Sequence, residues 1–359
     1  FMIVYIILAA FAGLFAWAES GLCNKRDMRM FYAVLLIFLL VVGLRYWHGD
    51  YGTYEMGYDA DIDVGGDAGY FWLQKVFHKM GFSFQAFVFL LTLVSVIAFR
   101  QTFRLGPWPL FGMVMILGKI FTLYAMSGIR QYMAMAICWW ALSELLLKQR
   151  TVTFVVMVVF AYTLHGSALV FLPVLAFRDM TFTYKKAAFL LLLAIVVGAY
   201  SMTFFASASK ASDFVNDRLG EYVIESQEVE GQSMNLLNYL ENFVFLIMAV
   251  WVRKRAIVKV PYYDFFLFMF VAYCGFLIVG SDVGIVKRLR DYYAIAYAFL
   301  VPAFIYAFRS IRLQRYCKGV MLAYFIFLMF RSLAVYDSGI PEGSYGRMVP
   351  YHSIFQKEN

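Results

Sequence analysis

Apolar runs of about 16–20 residues, the length that crosses a bilayer as a helix, recur from one end of this sequence to the other. In lipid every backbone N–H and C=O must be bonded within its own segment, so runs of this kind close up as helices. They do not alternate apolar and polar residues, as a membrane barrel would require. Composition agrees. At 63% hydrophobic and 15% charged residues, the chain has too little polar surface to coat a water-soluble fold of 359 residues. The expected fold class is an all-α polytopic membrane protein of about 11–12 transmembrane helices. The spans fall near 2–18, 29–44, 84–99, 107–122, 130–147, 152–164, 167–177, 187–206, 235–252, 261–280, 291–308 and 319–335.

The connections set the expected orientation. Lys25/Arg26/Arg29, Arg100/Arg104, Lys148/Arg150, Lys185/Lys186, Arg253/Lys254/Arg255/Lys259 and Arg309/Arg312/Arg315/Lys318 are basic; 50–67 and 213–230 are acidic. The two kinds alternate if both termini lie outside the cytoplasm. That alternation survives only if 152–177 is two short helices broken at His165-Gly166, because one long span would put Lys185/Lys186 outside. The whole chain, 1–359, then reads as one membrane domain. It has an outer loop over 45–83 with an amphipathic helix at 68–80, an acidic outer loop over 207–234, and an outer tail over 336–359. The net charge of +8 is assigned to topology; no continuous basic face points to nucleic acid.

Charge at the end of a membrane helix is costly to hold and so marks candidate functional residues. Gly43–Tyr54, GLRYWHGDYGTY, carries Arg45, His48 and Asp50 directly after an apolar helix. Arg130 sits in the first turn of the fifth span, where it opposes the helix dipole and is tolerated best beside an anion. His165 marks the tip of the predicted hairpin. In Lys287-Arg-Leu-Arg-Asp291, helical spacing puts Lys287, Arg290 and Asp291 on one stripe and Arg288 off it. Several guanidinium forks at one rim fit a phosphate or diphosphate ligand. The ordinary alternatives are snorkelling for Arg45, Lys119 and Arg331, and purely structural hydrogen bonding for His48 and His165. Asp59, Asp61, Asp63 and Asp67 resemble a calcium loop, but Val64 stands where a Gly belongs and Tyr70 where a Glu belongs. They are read as a solvated acidic loop, with no metal and no cofactor expected.

Four motifs in order carry a resemblance: G43-L-R-Y-W-H-G-D-Y-G-T-Y54, S127-G-I-R-Q-Y-M-A-M-A136, Y162-T-L-H-G-S-A168 and R288-L-R-D-Y-Y293. With Pro350-Tyr351 near the end, the chain resembles the EpsG-type branch of the Wzy polysaccharide polymerases. The family's Arg, Asp and Tyr of the first outer loop match Arg45, Asp50 and Tyr54, although here the Asp follows His48-Gly49. The resemblance implies a fold related to the GT-C glycosyltransferases, without a metal, in the bacterial cytoplasmic membrane. It implies polymerisation of undecaprenyl-diphosphate-linked repeat units into O-antigen or exopolysaccharide at the outer face, with a chain-length regulator as a further partner. On that reading Arg45, Arg130, Arg288 and Arg290 hold the diphosphate, and His165 or Asp50 is the base. His48, Tyr54, Asp291 and Tyr351 support them. A related ligase and a lipid-linked sugar transporter or flippase are the alternatives. A transporter would place charge through the midplane of the spans, where this sequence has little.

Overall fold

A computed structural model describes residues 2–20, 25–64, 66–211, 236–280, 284–341 and 343–356. The described residues are helical, with no strand and only two isolated bridges, Arg45 with Ser353 and His48 with Gly346. They form two compact units, one of residues 1–172 and 297–359, the other of residues 173–296. Five helices are long and apolar enough to cross a membrane: Phe84–Phe103, Pro109–Ser127, Leu236–Ala256, Tyr263–Gly280 and Ile311–Ser338. Ile3–Ala18, Thr151–Leu164 and Gly166–Phe177 are shorter apolar helices. The protein is therefore an all-α, multi-pass membrane protein.

In the first unit the chain runs through α1 (Ile3–Ala18), α2 (Lys25–Gly43), α3 (Tyr51–Asp59), α4 (Ala68–Lys79), α5 (Phe84–Phe103) and α6 (Pro109–Ile120). The last continues as a wider π-helical turn, Phe121–Ser127, a form that recurs at functional sites. α7 (Ile129–Leu146) is buried along almost its whole length and packs against α5 and α8 (Thr151–Leu164). Phe38, Phe99, Tyr132 and Trp139 pack edge and face around it. The predicted break is present: α8 ends at Leu164, His165 takes extended backbone, and Gly166–Phe177 follows as a 3-10 helix containing Pro173. The predicted amphipathic helix over 68–80 is α4. α3 was not foreseen, because its polar sequence with Gly52 and Gly57 has no apolar period.

The second unit holds α9 (Tyr184–Ala211), α10 (Leu236–Ala256), α11 (Tyr263–Gly280) and α12 (Gly284–Asp291). α9 runs past its expected end into the predicted 207–234 loop; the rest of that loop lies outside the described residues. Arg253 clamps Asp264 with two hydrogen bonds of 2.6 Å. The expected single span at 291–308 is broken into short α and 3-10 pieces, with Pro302 opening the last of them, Val301–Ala307.

The chain ends on α13 (Ile311–Ser338) and a tail that folds back over residues 44–49. The Tyr46 N–H donates to the His352 carbonyl at 2.9 Å and the Ile354 N–H to the Leu44 carbonyl at 3.1 Å. The Gly49 N–H donates to the Gly346 carbonyl at 2.8 Å. Gly49 has a left-handed φ of 58°, and a Cβ there would fall 2.5 Å from Ser127 Cβ, so only glycine brings this loop against the π-helical turn. Asp337, buried at the end of α13, accepts the Met348 and Val349 N–H groups at 2.7 and 2.9 Å. Asp337→Ala leaves both donors unsatisfied. It is expected to cost about 1–3 kcal/mol and to free the tail, which limited proteolysis at the exposed Tyr345 would read as faster cleavage. Unchanged cleavage would show that this carboxylate does not hold the tail.

Candidate functional site

The first turn of α4 brings a carboxylate where the sequence showed only an acidic loop. Asp67 is the N-cap residue of α4 but makes no cap bond with its side chain. Its Oδ2 accepts from Arg130 Nη1 at 2.8 Å and from His165 Nδ1 at 3.1 Å, while Oδ1 accepts the Gly166 N–H at 3.2 Å. Asp67 is buried, whereas Asp59, Asp61 and Asp63 are exposed. One glycine makes this approach possible. A Cβ on Gly69 would lie 2.6 Å from Thr163 Cβ and 2.8 Å from the Thr163 carbonyl oxygen, so the close approach of α4 to the end of α8 depends on the absence of a side chain here. Arg130 therefore has the anion that its place in a first turn called for. It also donates through Nε to the Tyr54 hydroxyl at 3.2 Å, and its guanidinium lies over the Tyr54 and Tyr70 rings.

Arg45 stands in the opposite condition. It is 2% exposed, Nη1 donates to the Val42 carbonyl at 2.6 Å, and Nε is buried with no partner among the described residues. No carboxylate pairs with it among those residues. Burial pushes its pKa down, and the phenols of Tyr51, Tyr132, Tyr351 and Tyr5 oppose that shift. The Tyr70 hydroxyl is likewise buried and without a partner among the described residues, and the Tyr132 hydroxyl is buried beside Ser95. Burial raises the Tyr70 pKa, with Tyr54 adding to the shift and the fields of Arg130 and Arg45 opposing it. Tyr70 thus lies within the fields of both guanidiniums. A buried guanidinium without a carboxylate among the described residues is costly to hold.

The other predicted residues have different surroundings. His48 is fully buried. Nδ1 lies 2.6 Å from the Arg347 carbonyl and Nε2 2.9 Å from the His352 N–H. The first contact requires a proton on Nδ1 and the second a lone pair on Nε2, so the neutral ring is fully used in joining loop to tail. Tyr351 stacks on His48 and donates its hydroxyl to the Val41 carbonyl at 2.9 Å. Tyr54 is the phenol under Arg130. Asp50 precedes α3, is exposed, and its carboxylate has no hydrogen bond among the described residues.

In the second unit, Arg290 binds its neighbour Asp291 through Nε at 2.9 Å and Nη2 at 2.8 Å and lies over the Tyr273 ring. Arg288 is half-buried on another face of α12. Lys119, expected to snorkel, instead lies 4.6 Å from the centre of the Tyr297 ring.

Fold and site together define a helical membrane protein in which one guanidinium shares a carboxylate with a histidine at a helix junction and a second is buried without a carboxylate among the described residues. The chain belongs to the EpsG family: a model of that family matches residues 28–353, which takes in every residue of the site. This is the Wzy/EpsG-type polysaccharide polymerase family. No curated protein and no solved structure matches the chain.

Burial holds the His48 pKa at about 4 against an ordinary 6.5; the Arg347 carbonyl opposes the shift, and the Arg45 and His352 fields add to it. Between those values the unfolded imidazole takes up a proton and the folded one does not. Its contribution is complete above pH ~6.5 and is lost as pH falls toward 4, by roughly 3 kcal/mol in all. Hydrogen exchange at the Tyr46 and His352 amides, corrected for intrinsic rates, is expected to show weaker protection at pH 5 than at pH 7. His48→Gln is expected to remove that difference. Equal protection at both pH values in the wild-type protein would contradict this account of the clasp.

Proposed function

We propose that this EpsG-family protein is a glycosyltransferase that joins repeat units carried on a lipid diphosphate, with undecaprenyl diphosphate as the carrier. The observation that carries the reading is Arg45. A guanidinium buried without a carboxylate, with an unused Nε, is costly unless an anion completes it. Tyr70 adds a spare hydroxyl donor in the same field. A leaving diphosphate is the anion that the family's chemistry supplies.

In the proposed reaction the acceptor sugar hydroxyl attacks the anomeric carbon of the donor chain. The new C–O bond forms as the bond to the diphosphate breaks, and the diphosphate leaves with the electron pair. Arg45, helped by Arg130, stabilises the charge developing on that oxygen. The hydroxyl proton passes to His165, whose Nε2 has no partner among the described residues. Asp50, exposed and without a hydrogen bond, is the second candidate for the base. Arg288 is proposed as a further diphosphate contact. Arg290, already paired with Asp291, is proposed to act only if that pair opens. We place the reaction at the outer face of the bacterial cytoplasmic membrane, with both termini outside and a GT-C-like arrangement of helices.

The test uses purified protein and a synthetic lipid-diphosphate repeat unit, with formation of a glycan ladder as the readout. Arg45→Ala and His165→Ala are each expected to lower the rate by about 100-fold or more at near-normal protein yield. Asp50→Asn is expected to retain most activity if His165 is the base. Ladders of normal rate from both Arg45→Ala and His165→Ala would remove the site assignment, and no ladder from the wild-type protein would remove the reaction.

A further inference from the structure

We infer that Asp67 is the positioning residue of this site: it fixes the tautomer of His165 and ties the imidazole and the Arg130 guanidinium to one carboxylate. The inference rests on the proposed glycosyl transfer and adds to it a residue whose sequence context shows only an acidic loop.

Three observations carry it. Asp67 forgoes the cap bond that its place before α4 offers and turns its carboxylate inward. Three donors meet this buried carboxylate: Arg130 Nη1, His165 Nδ1 and the Gly166 N–H. The tautomer follows from the same contacts. Oδ2 already accepts a guanidinium N–H, so it faces His165 as an acceptor, and the hydrogen of that contact belongs to Nδ1. The lone pair of the neutral ring is then on Nε2, which has no partner among the described residues. Nε2 is the atom free to take a proton, and Asp67 stabilises the imidazolium that results.

The backbone is arranged around the same point. The Gly166 amide fixes the second carboxylate oxygen, so the ring and the turn that carries it are held together. Gly69 lets α4 lie close enough to Thr163 for these bonds to form. The proton balance is complete. The acceptor hydroxyl gives its proton to Nε2, Nδ1 keeps its own, and Asp67 remains ionised throughout. Arg130 shares the carboxylate, so any displacement of Asp67 moves the base and the cation together. This arrangement differs from a simple ion pair, in which Asp67 would only offset the charge of Arg130 and His165 would be a bystander.

The experiment is a double-mutant cycle in the ladder assay with Asp67→Asn, His165→Gln and the pair. Asp67→Asn is expected to lower kcat by about 100-fold or more with little change in KM, since an amide does not enforce the tautomer or stabilise the imidazolium. Added to His165→Gln it is expected to cost at least about tenfold less than it does alone, because only its hold on Arg130 is left to lose. Losses that multiply in full would show that Asp67 acts apart from His165 and would overturn the inference. So would an unchanged kcat in Asp67→Asn. If Asp67→Asn does not fold, nitrogen NMR of the wild-type protein with labelled histidine decides. A His165 signal with its hydrogen on Nδ1 supports the inference, and hydrogen on Nε2 overturns it. A wild-type protein that forms no ladder defeats the proposed function instead, and the NMR result then stands as a statement about the ring alone.

Discussion

A charge taken out of water must meet an opposite charge or be matched when a ligand arrives, and the first unit is arranged around two guanidiniums that meet this demand differently. Arg130 is satisfied internally by Asp67 and Tyr54. Among the described residues Arg45 is not; it has one backbone carbonyl there and the fields of several phenols. The paired cation is a fixed part of the machinery, held in register with His165. The other is buried with one backbone hydrogen bond among the described residues. The proposed diphosphate leaving group would use both: one cation to keep geometry and one to respond to developing charge.

Much of the surrounding structure serves to hold these groups at the end of an apolar helix. The loop that carries Arg45 is not itself helical. It is fixed by backbone hydrogen bonds to the tail, by the neutral ring of His48 and by the Tyr351 stack. The tail is in turn fixed by Asp337 and by the Tyr5 hydroxyl, which donates to the Met348 carbonyl at 2.7 Å. Residues more than 300 positions apart in sequence therefore share one local structure. Several side chains that look chemically active in the sequence, His48 and Tyr351 among them, are occupied in keeping it closed.

What could be read from the sequence follows from which forces leave a periodic trace. Apolar runs and the amphipathic stretch of α4 show directly. The break at His165 showed through charge alternation, since a single span would have reversed every later loop. The need of Arg130 for an anion was legible from its place in a helix first turn; the identity of the anion was not. Asp67 is one of four similar carboxylates, and nothing local separates it from Asp59, Asp61 and Asp63. What selects it is Gly69, whose missing Cβ matters only once Thr163 is known to be its neighbour. The sequence marked an outer tail over 336–359 but not its docking, because the partners, Tyr5, His48 and Asp337 and the backbone of residues 44–49, share no periodic pattern with it. Arg290 reads as a ligand for phosphate; in the folded chain it pairs with Asp291, a member of the same stripe.

The central claim is that Arg45 is completed by a diphosphate, and equilibrium binding tests it without reference to catalysis. Purified protein in detergent would be titrated with a prenyl diphosphate and with the matching prenyl monophosphate, for the wild type and for Arg45→Ala. The account predicts that the wild type prefers the diphosphate and that Arg45→Ala loses this preference while retaining weak affinity for the prenyl chain. Equal affinity of the wild type for the two lipids, or an undiminished preference in Arg45→Ala, would contradict it.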